Sequence, residues 1–243
     1  MSARHDLALT RGWTADGTRL VVEALEALDD DALAGPSLLP GWSRAHVVAH
    51  LARNAEALGR LATWARTGEE LPMYADAQQR DADIAASAQQ APADLRHDVA
   101  ATAAELEQAF AALDGAAWDA RVRVRQGDEV PARVLPWLRV RELWLHAVDL
   151  DAGADLAGAP GPLLDELAAD LTATLSRRDG CPAVELRPRD RPGPWHLGED
   201  PDDGARTTVE GSAADLVVWL AGRGGGAGVT AASGPLPALP AWL

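Results

Sequence analysis

Apolar positions between Leu7 and Asp151 recur mostly at steps of three and four, which predicts a helical N-terminal domain. Leu20, Val21, Leu25 and Leu28 keep that spacing within Leu7 to Leu33, and the run stops at Gly35-Pro36, so one long helix is expected there. A turn, Leu39-Pro-Gly-Trp-Ser43, then offers a serine N-cap to a second stripe made of Val47, His50, Leu51, Asn54, Leu58, Leu61 and Ala65, which ends near Thr67-Gly68. Ala75 to Leu113 favours helix throughout, and Pro92 divides it into a shorter and a longer piece. The polar stretch Asp119 to Arg133 has extended character at Val122, Val124 and Val130. A fourth bundle helix, Val134 to Asp151, is apolar on most faces and is expected to be the most buried element.

The pattern changes after Asp151. Gly153 to Pro162, rich in Gly, Ala and Pro, reads as an interdomain connection, giving domains 1–155 and 156–243. Leu163 to Leu175 is helical, with Gly180 just beyond its end. The runs Ala183–Arg187, Trp195–Leu197 and Thr207–Glu210 alternate as short strands do, and Ser212 with Asp215 opens a last helix that closes at Gly222. The Gly/Pro-rich tail from Gly224 is expected to lie as ordered coil. The fold class is therefore mostly α, a helical bundle followed by a smaller α/β domain.

Composition narrows the functional classes. Among 243 residues, 22 Lys plus Arg stand against 37 Asp plus Glu, a formal charge of −15, and no dense basic block offsets it. Nucleic acid and an anionic membrane are thereby excluded as expected partners. The lone cysteine, Cys181, leaves no internal disulfide and no CxxC metal site, and fits a reducing compartment. Only Arg177 and Arg178 lie near enough in sequence to activate it, so it reads as a structural thiol. No stretch has the apolar run of a signal peptide or the roughly 20 residues of a membrane span, so a soluble cytoplasmic chain is expected. The nine tryptophans read as packing residues, with Trp42 and Trp144 placed to wall a pocket near the candidate site.

Glu142 and His146, four residues apart on the fourth helix, project from one face and can approach the same ion. His50 lies inside the apolar stripe of the second helix and points into the bundle. Two imidazoles and one carboxylate form a three-ligand set that leaves a coordination position open, as in catalytic zinc sites, and the same set suits iron(II). From the residues alone a hydrogen-bonded core histidine is the commoner role for such a position, and an isolated E-x-x-x-H match is weak. His46, one turn before His50, is an alternative ligand nearer the bundle rim. Asp149 is spaced to orient His146 or to be a solvated helix-end carboxylate.

Three segments, Leu39–Leu51, Thr67-Gly-Glu-Glu-Leu-Pro-Met-Tyr74 and Arg141-Glu-Leu-Trp-Leu-His-Ala-Val-Asp-Leu150, together resemble the mycothiol-dependent maleylpyruvate isomerases. The C-terminal Glu210-Gly-Ser-Ala-Ala-Asp-Leu-Val-Val-Trp-Leu-Ala-Gly-Arg223 is similar to that family's second domain, so the likeness spans nearly the whole chain. It implies a DinB-like four-helix bundle with zinc on His50, Glu142 and His146, which selects His50 over His46. It also implies a C-terminal domain resembling sterol-carrier proteins that completes the active site. Functional arginines fall at Arg80 and Arg223, both of which in an acidic chain are otherwise ordinary ion-pair residues.

The implied chemistry is cis–trans isomerisation of maleylpyruvate to fumarylpyruvate, with mycothiol as thiol cosubstrate and a monomeric enzyme. Arg80 and Arg223 would fork the substrate carboxylates. The alternatives are a mycothiol S-transferase acting on another electrophile, a metal-dependent hydrolase that needs no thiol, and a non-enzymatic zinc protein, which the shortage of cysteine ligands disfavours.

Overall fold

The Asp6 carboxylate accepts the amides of Ala8 and Leu9 and so opens α1, which runs Leu7–Glu26 in this computed structural model. The structure describes residues 2–125, 127–200 and 206–242. The helix expected to continue to Leu33 breaks after Glu26, and a separate short helix α2 spans Asp30–Ala34. Two interactions cause the break. Asp29 caps α2 through the Ala32 amide at 2.7 Å, which places the Asp29–Asp31 carboxylates at a positive helix end and not at a negative one. Arg96, far along the chain, donates to the carbonyls of Leu25 and Leu28 that a continuing helix would have used.

Ser43 caps α3 (Arg44–Thr67), and Gly68, at φ 75°, ends it in the left-handed region that glycine tolerates best. Asp76 caps α4 (Ala77–Ser87), while Pro92 opens α5 (Pro92–Ala111), where its missing N–H costs nothing. A short helix α6 (Gly115–Asp119), capped by Asp114, was not anticipated. Strands β1 (Arg121–Arg123) and β2 (Glu129–Pro131) pair antiparallel with Val122 opposite Val130, and α7 (Leu135–Asp149) follows. Val124 lies beyond β1, its amide donating to Asp128 in the turn.

The chain divides into two units, Met1–Ala154 and Asp155–Leu243. In the first, α1 packs on α7, α7 on α3, α3 on α5, and α5 returns to α1. One core gathers Leu58, Leu61, Phe110, Trp118, Val122 and Leu135. Arg44, in the first turn of α3, donates to the carbonyls of Leu150 and Asp151, and the Leu38 amide donates to the Asp149 carbonyl, so the end of α7 is tied to the start of α3.

Helices α1 and α7 approach closely at Gly17, where a Cβ would stand 2.8 Å from Trp144 Nε1 and 2.9 Å from Leu143 Cβ. Gly17→Ala gains about 1 kcal/mol of helix propensity but overpacks the interface at a cost of about 1–3 kcal/mol. A net loss of up to about 2 kcal/mol in urea denaturation is expected; an unchanged midpoint would show that the two helices separate freely.

In the second unit, α8 (Gly161–Leu175) and α9 (Ala213–Leu220) pack together and onto a four-stranded sheet of order β4-β3-β5-β6. The strands are β3 (Val184–Pro188), β4 (Trp195–Leu197), β5 (Thr207–Gly211) and β6 (Thr230–Ala231); β3 and β5 are parallel and the outer pairs antiparallel. Ser212 caps α9 by accepting the Asp215 amide. The tail is not all coil, because β6 pairs with β5. Gly211 permits this, since a Cβ there would meet Gly228 O at 3.0 Å and Val229 Cγ1 at 2.9 Å. No helix among the described residues is long and apolar enough to cross a membrane.

Candidate metal centre

His50 comes from the buried face of α3, between Val47 and Leu51, while Glu142 and His146 come from successive turns of α7. One ligand atom from each lies within 4.8 Å of the others, and both histidines are buried. Glu142 Oε2 is 2.8 Å from His50 Nε2 and 3.2 Å from His146 Nε2, so two ring nitrogens converge on one carboxylate oxygen. The imidazoles meet edge to face with centroids 4.8 Å apart, and the Trp42 ring stands 5.6 Å from His50.

Asp149, fully buried, holds His146 Nδ1 at 2.8 Å through Oδ2. A carboxylate only accepts, so Nδ1 carries the proton and the Nε2 lone pair faces Glu142. Lone pair against carboxylate is repulsive unless a cation lies between them, either a second proton or a metal ion. The donor set, its convergence and this need for a cation fit a divalent metal.

The electrostatics agree. Burial opposes the charge on Glu142, yet hydrogen bonds from a doubly protonated His146 and from His50 outweigh it and hold the carboxyl well below its usual range. Burial likewise works against protonation of His146, but Asp149 and Glu142 prevail and raise it. For His50 burial wins over the Glu142 hydrogen bond and lowers the imidazole, keeping it neutral as a ligand must be.

His46 takes no part in the cluster. Its ring is used in the capping box, with Nδ1 2.7 Å from Ser43 Oγ while the Ser43 oxygen accepts the His46 amide. Arg80, at the start of α4, does reach the site, its Nη2 donating to His50 Nδ1 at 3.3 Å while Nη1 pairs with Asp81. Arg223 stands in the second unit, where Nη1 donates to the Ala221 carbonyl and the guanidinium lies 5.6 Å from the Trp242 ring.

Trp144, expected to wall the pocket, instead faces α1 and donates its indole N–H to the Trp13 carbonyl at 2.9 Å. Two residues near the site were not singled out from the sequence. Arg139, one turn before Glu142, is 1% exposed; Nη1 donates to the Leu51 carbonyl and Asn54 Oδ1, and Nη2 has no hydrogen-bond partner among the described residues. Burial lowers its pKa to about 10, which leaves it charged at neutral pH. Its place three residues before Glu142, and so on the same helix face, was the available signal. The Tyr74 ring lies 5.9 Å from the Arg80 guanidinium, and burial, aided by Glu142, raises its pKa against the pull of Arg80.

Two family models match the chain, the mycothiol maleylpyruvate isomerase N-terminal domain over residues 14–151 and the MDMPI C-terminal domain over residues 159–241. Among solved structures the chain is similar to a mycothiol-dependent maleylpyruvate isomerase, at 36% identity and a TM-score of 0.92 with 100% of both chains covered. It is similar also to a histidine-to-alanine mutant of such an isomerase, at 35% identity, the same TM-score of 0.92 and the same 100% coverage. No curated protein matches the chain significantly.

Proposed function

The chain belongs to the mycothiol maleylpyruvate isomerase family, and from that premise we propose that it converts maleylpyruvate to fumarylpyruvate with mycothiol as cosubstrate and zinc on His50, Glu142 and His146. The observation that carries the reading is the convergence of both Nε2 atoms on Glu142 Oε2, with Asp149 fixing the His146 tautomer that exposes a lone pair. A dication held there supplies the charge that lowers a thiol's pKa and selects its thiolate.

Addition of the thiolate sulfur to the cis double bond forms a C–S bond and moves the π pair onto the conjugated carbonyl as an enolate. The former double bond is then single and rotates. Collapse of the enolate expels the thiolate and restores the double bond as trans, with no net redox change and no water consumed.

Arg80 serves the substrate in this scheme. Its contact with His50 requires Nδ1 as acceptor, whereas a His50 that ligates through Nε2 carries its proton on Nδ1. Ligation therefore breaks the contact and frees Arg80 Nη2 for a substrate carboxylate. In a chain of net charge −15, such a local cation offsets the overall field that repels a dicarboxylate. A thiol cosubstrate also suits a reducing, cytoplasmic setting.

The test is conversion of maleylpyruvate by the purified protein with and without mycothiol, before and after chelation. Turnover that requires both thiol and metal is expected. Inactivity on maleylpyruvate with conjugation of other electrophiles would point to an S-transferase, and hydrolysis without thiol would replace the reading by a metal-dependent hydrolase.

A further inference from the structure

Tyr74 is the single tyrosine of the chain, and it sits between α3 and α4 in a loop that the packing holds firmly. Arg60 of α3 donates Nε to the Met73 carbonyl at 3.0 Å, with its guanidinium 6.0 Å from the Tyr74 ring centroid. The Arg80 guanidinium lies 5.9 Å from that centroid and reaches His50 Nδ1 through Nη2. Tyr74 also lines a cavity of about 310 Å³ together with Trp64, Asp76 and Arg123. Its link to the histidine–glutamate cluster runs through Arg80, which faces the Tyr74 ring on one side and His50 Nδ1 on the other.

Arginine carries only donors, so the phenol oxygen can only accept from Arg80, and its hydroxyl proton is available to a different acceptor. Two guanidiniums, those of Arg60 and Arg80, lie about 6 Å from the phenol ring centroid. Two cations beside one phenol in so acidic a chain suit an oxyanion that forms next to the hydroxyl. Burial raises the Tyr74 pKa against the opposing pull of Arg80, so the group is a protonated donor at neutral pH.

We infer that Tyr74 is a catalytic residue whose hydroxyl donates to the enolate oxygen created by thiolate addition, and that Arg80 and Arg60 hold the phenol for that task. The inference rests on the isomerase reading for the identity of the oxyanion. The balance is simple. As the C–S bond forms, the displaced π pair localises on oxygen, which takes the Tyr74 hydrogen bond or its proton; on elimination the pair returns to carbon, and any transferred proton returns to the phenolate.

The test is Tyr74→Phe, which keeps the ring against both arginines and removes only the hydroxyl. In metal-loaded protein, kcat is expected to fall about 10²–10³-fold, the usual effect of losing one oxyanion donor, with KM and metal content near wild type. A second readout is calorimetric titration with acetylpyruvate, a stable dicarbonyl acid with an enolate oxygen, whose affinity should drop about 10–100-fold for the loss of a hydrogen bond to a charged acceptor. Unchanged kcat and affinity overturn the inference, as does a fall in kcat that only tracks lost metal. The two readings fail separately: wild-type protein without thiol-dependent turnover removes the isomerase reading, whereas acetylpyruvate affinity unaffected by the substitution overturns the role of Tyr74 in either case.

Discussion

His50→Ala is expected to release the metal and to lower thiol-dependent turnover by about 10³-fold or more. With His50 gone, the remaining donors, Glu142 and His146, both project from α7, and the clamp between α3 and α7 is lost. The magnitude follows from two losses. A free thiol of pKa about 8.5 is only about 3% thiolate at pH 7, so forfeiting metal-assisted deprotonation costs about 30-fold. Losing the fixed position of the sulfur costs further decades, since well-oriented reactants reach effective molarities of about 10⁵ M or higher. The readouts are metal content by elemental analysis and turnover at saturating mycothiol. Retention of a full equivalent of metal would remove His50 from the ligand set, and turnover without metal would remove the metal from the reaction. His46→Ala is the control; its ring serves the Ser43 capping box, so the variant should keep its metal.

The candidate cluster was legible because helix periodicity is a strong constraint. A histidine within the stripe Val47–Leu51 must face inward, and residues four apart on an apolar helix must share a face. The same geometry turns Trp144 away from the site: two positions from Glu142, it lies nearly opposite on the helix and meets Gly17. What was not legible depends on distant partners. The break after Glu26 relies on Arg96 reaching the Leu25 and Leu28 carbonyls from α5, and nothing local to that stretch announces it. Strand β6 is two residues long and exists because Gly211 leaves room beside it. Tyr74 sits in a loop without periodicity, so its proximity to Arg80, and through it to His50, emerges only when α3 and α4 pack.

Asp149→Asn should weaken metal binding about 10–100-fold while leaving turnover largely recoverable by added metal, a pattern distinct from that of His50→Ala. Asp149 is buried and holds His146 Nδ1 at 2.8 Å, which fixes the tautomer and makes Nε2 a more basic ligand. Asparagine has nearly the same shape and can present its carbonyl to Nδ1, but it carries no charge; presenting its amide instead would move the ring proton to Nε2 and block ligation. The pH dependence gives the prediction its sign. In the wild-type protein burial pulls the His146 pKa down, but Asp149 and Glu142 together raise it above the ordinary 6.5, so at acid pH a metal must displace a proton from this ring. Removing the Asp149 charge lowers that pKa, and the variant's metal meets less competition from protons. The affinity gap between wild type and variant should therefore be widest at pH 7–8 and narrow as the pH falls through the range where wild-type His146 protonates. Metal titrations at a series of pH values would show this, and a gap that widens toward acid pH, or no gap at any pH, would mean that Asp149 does not act on the metal through His146.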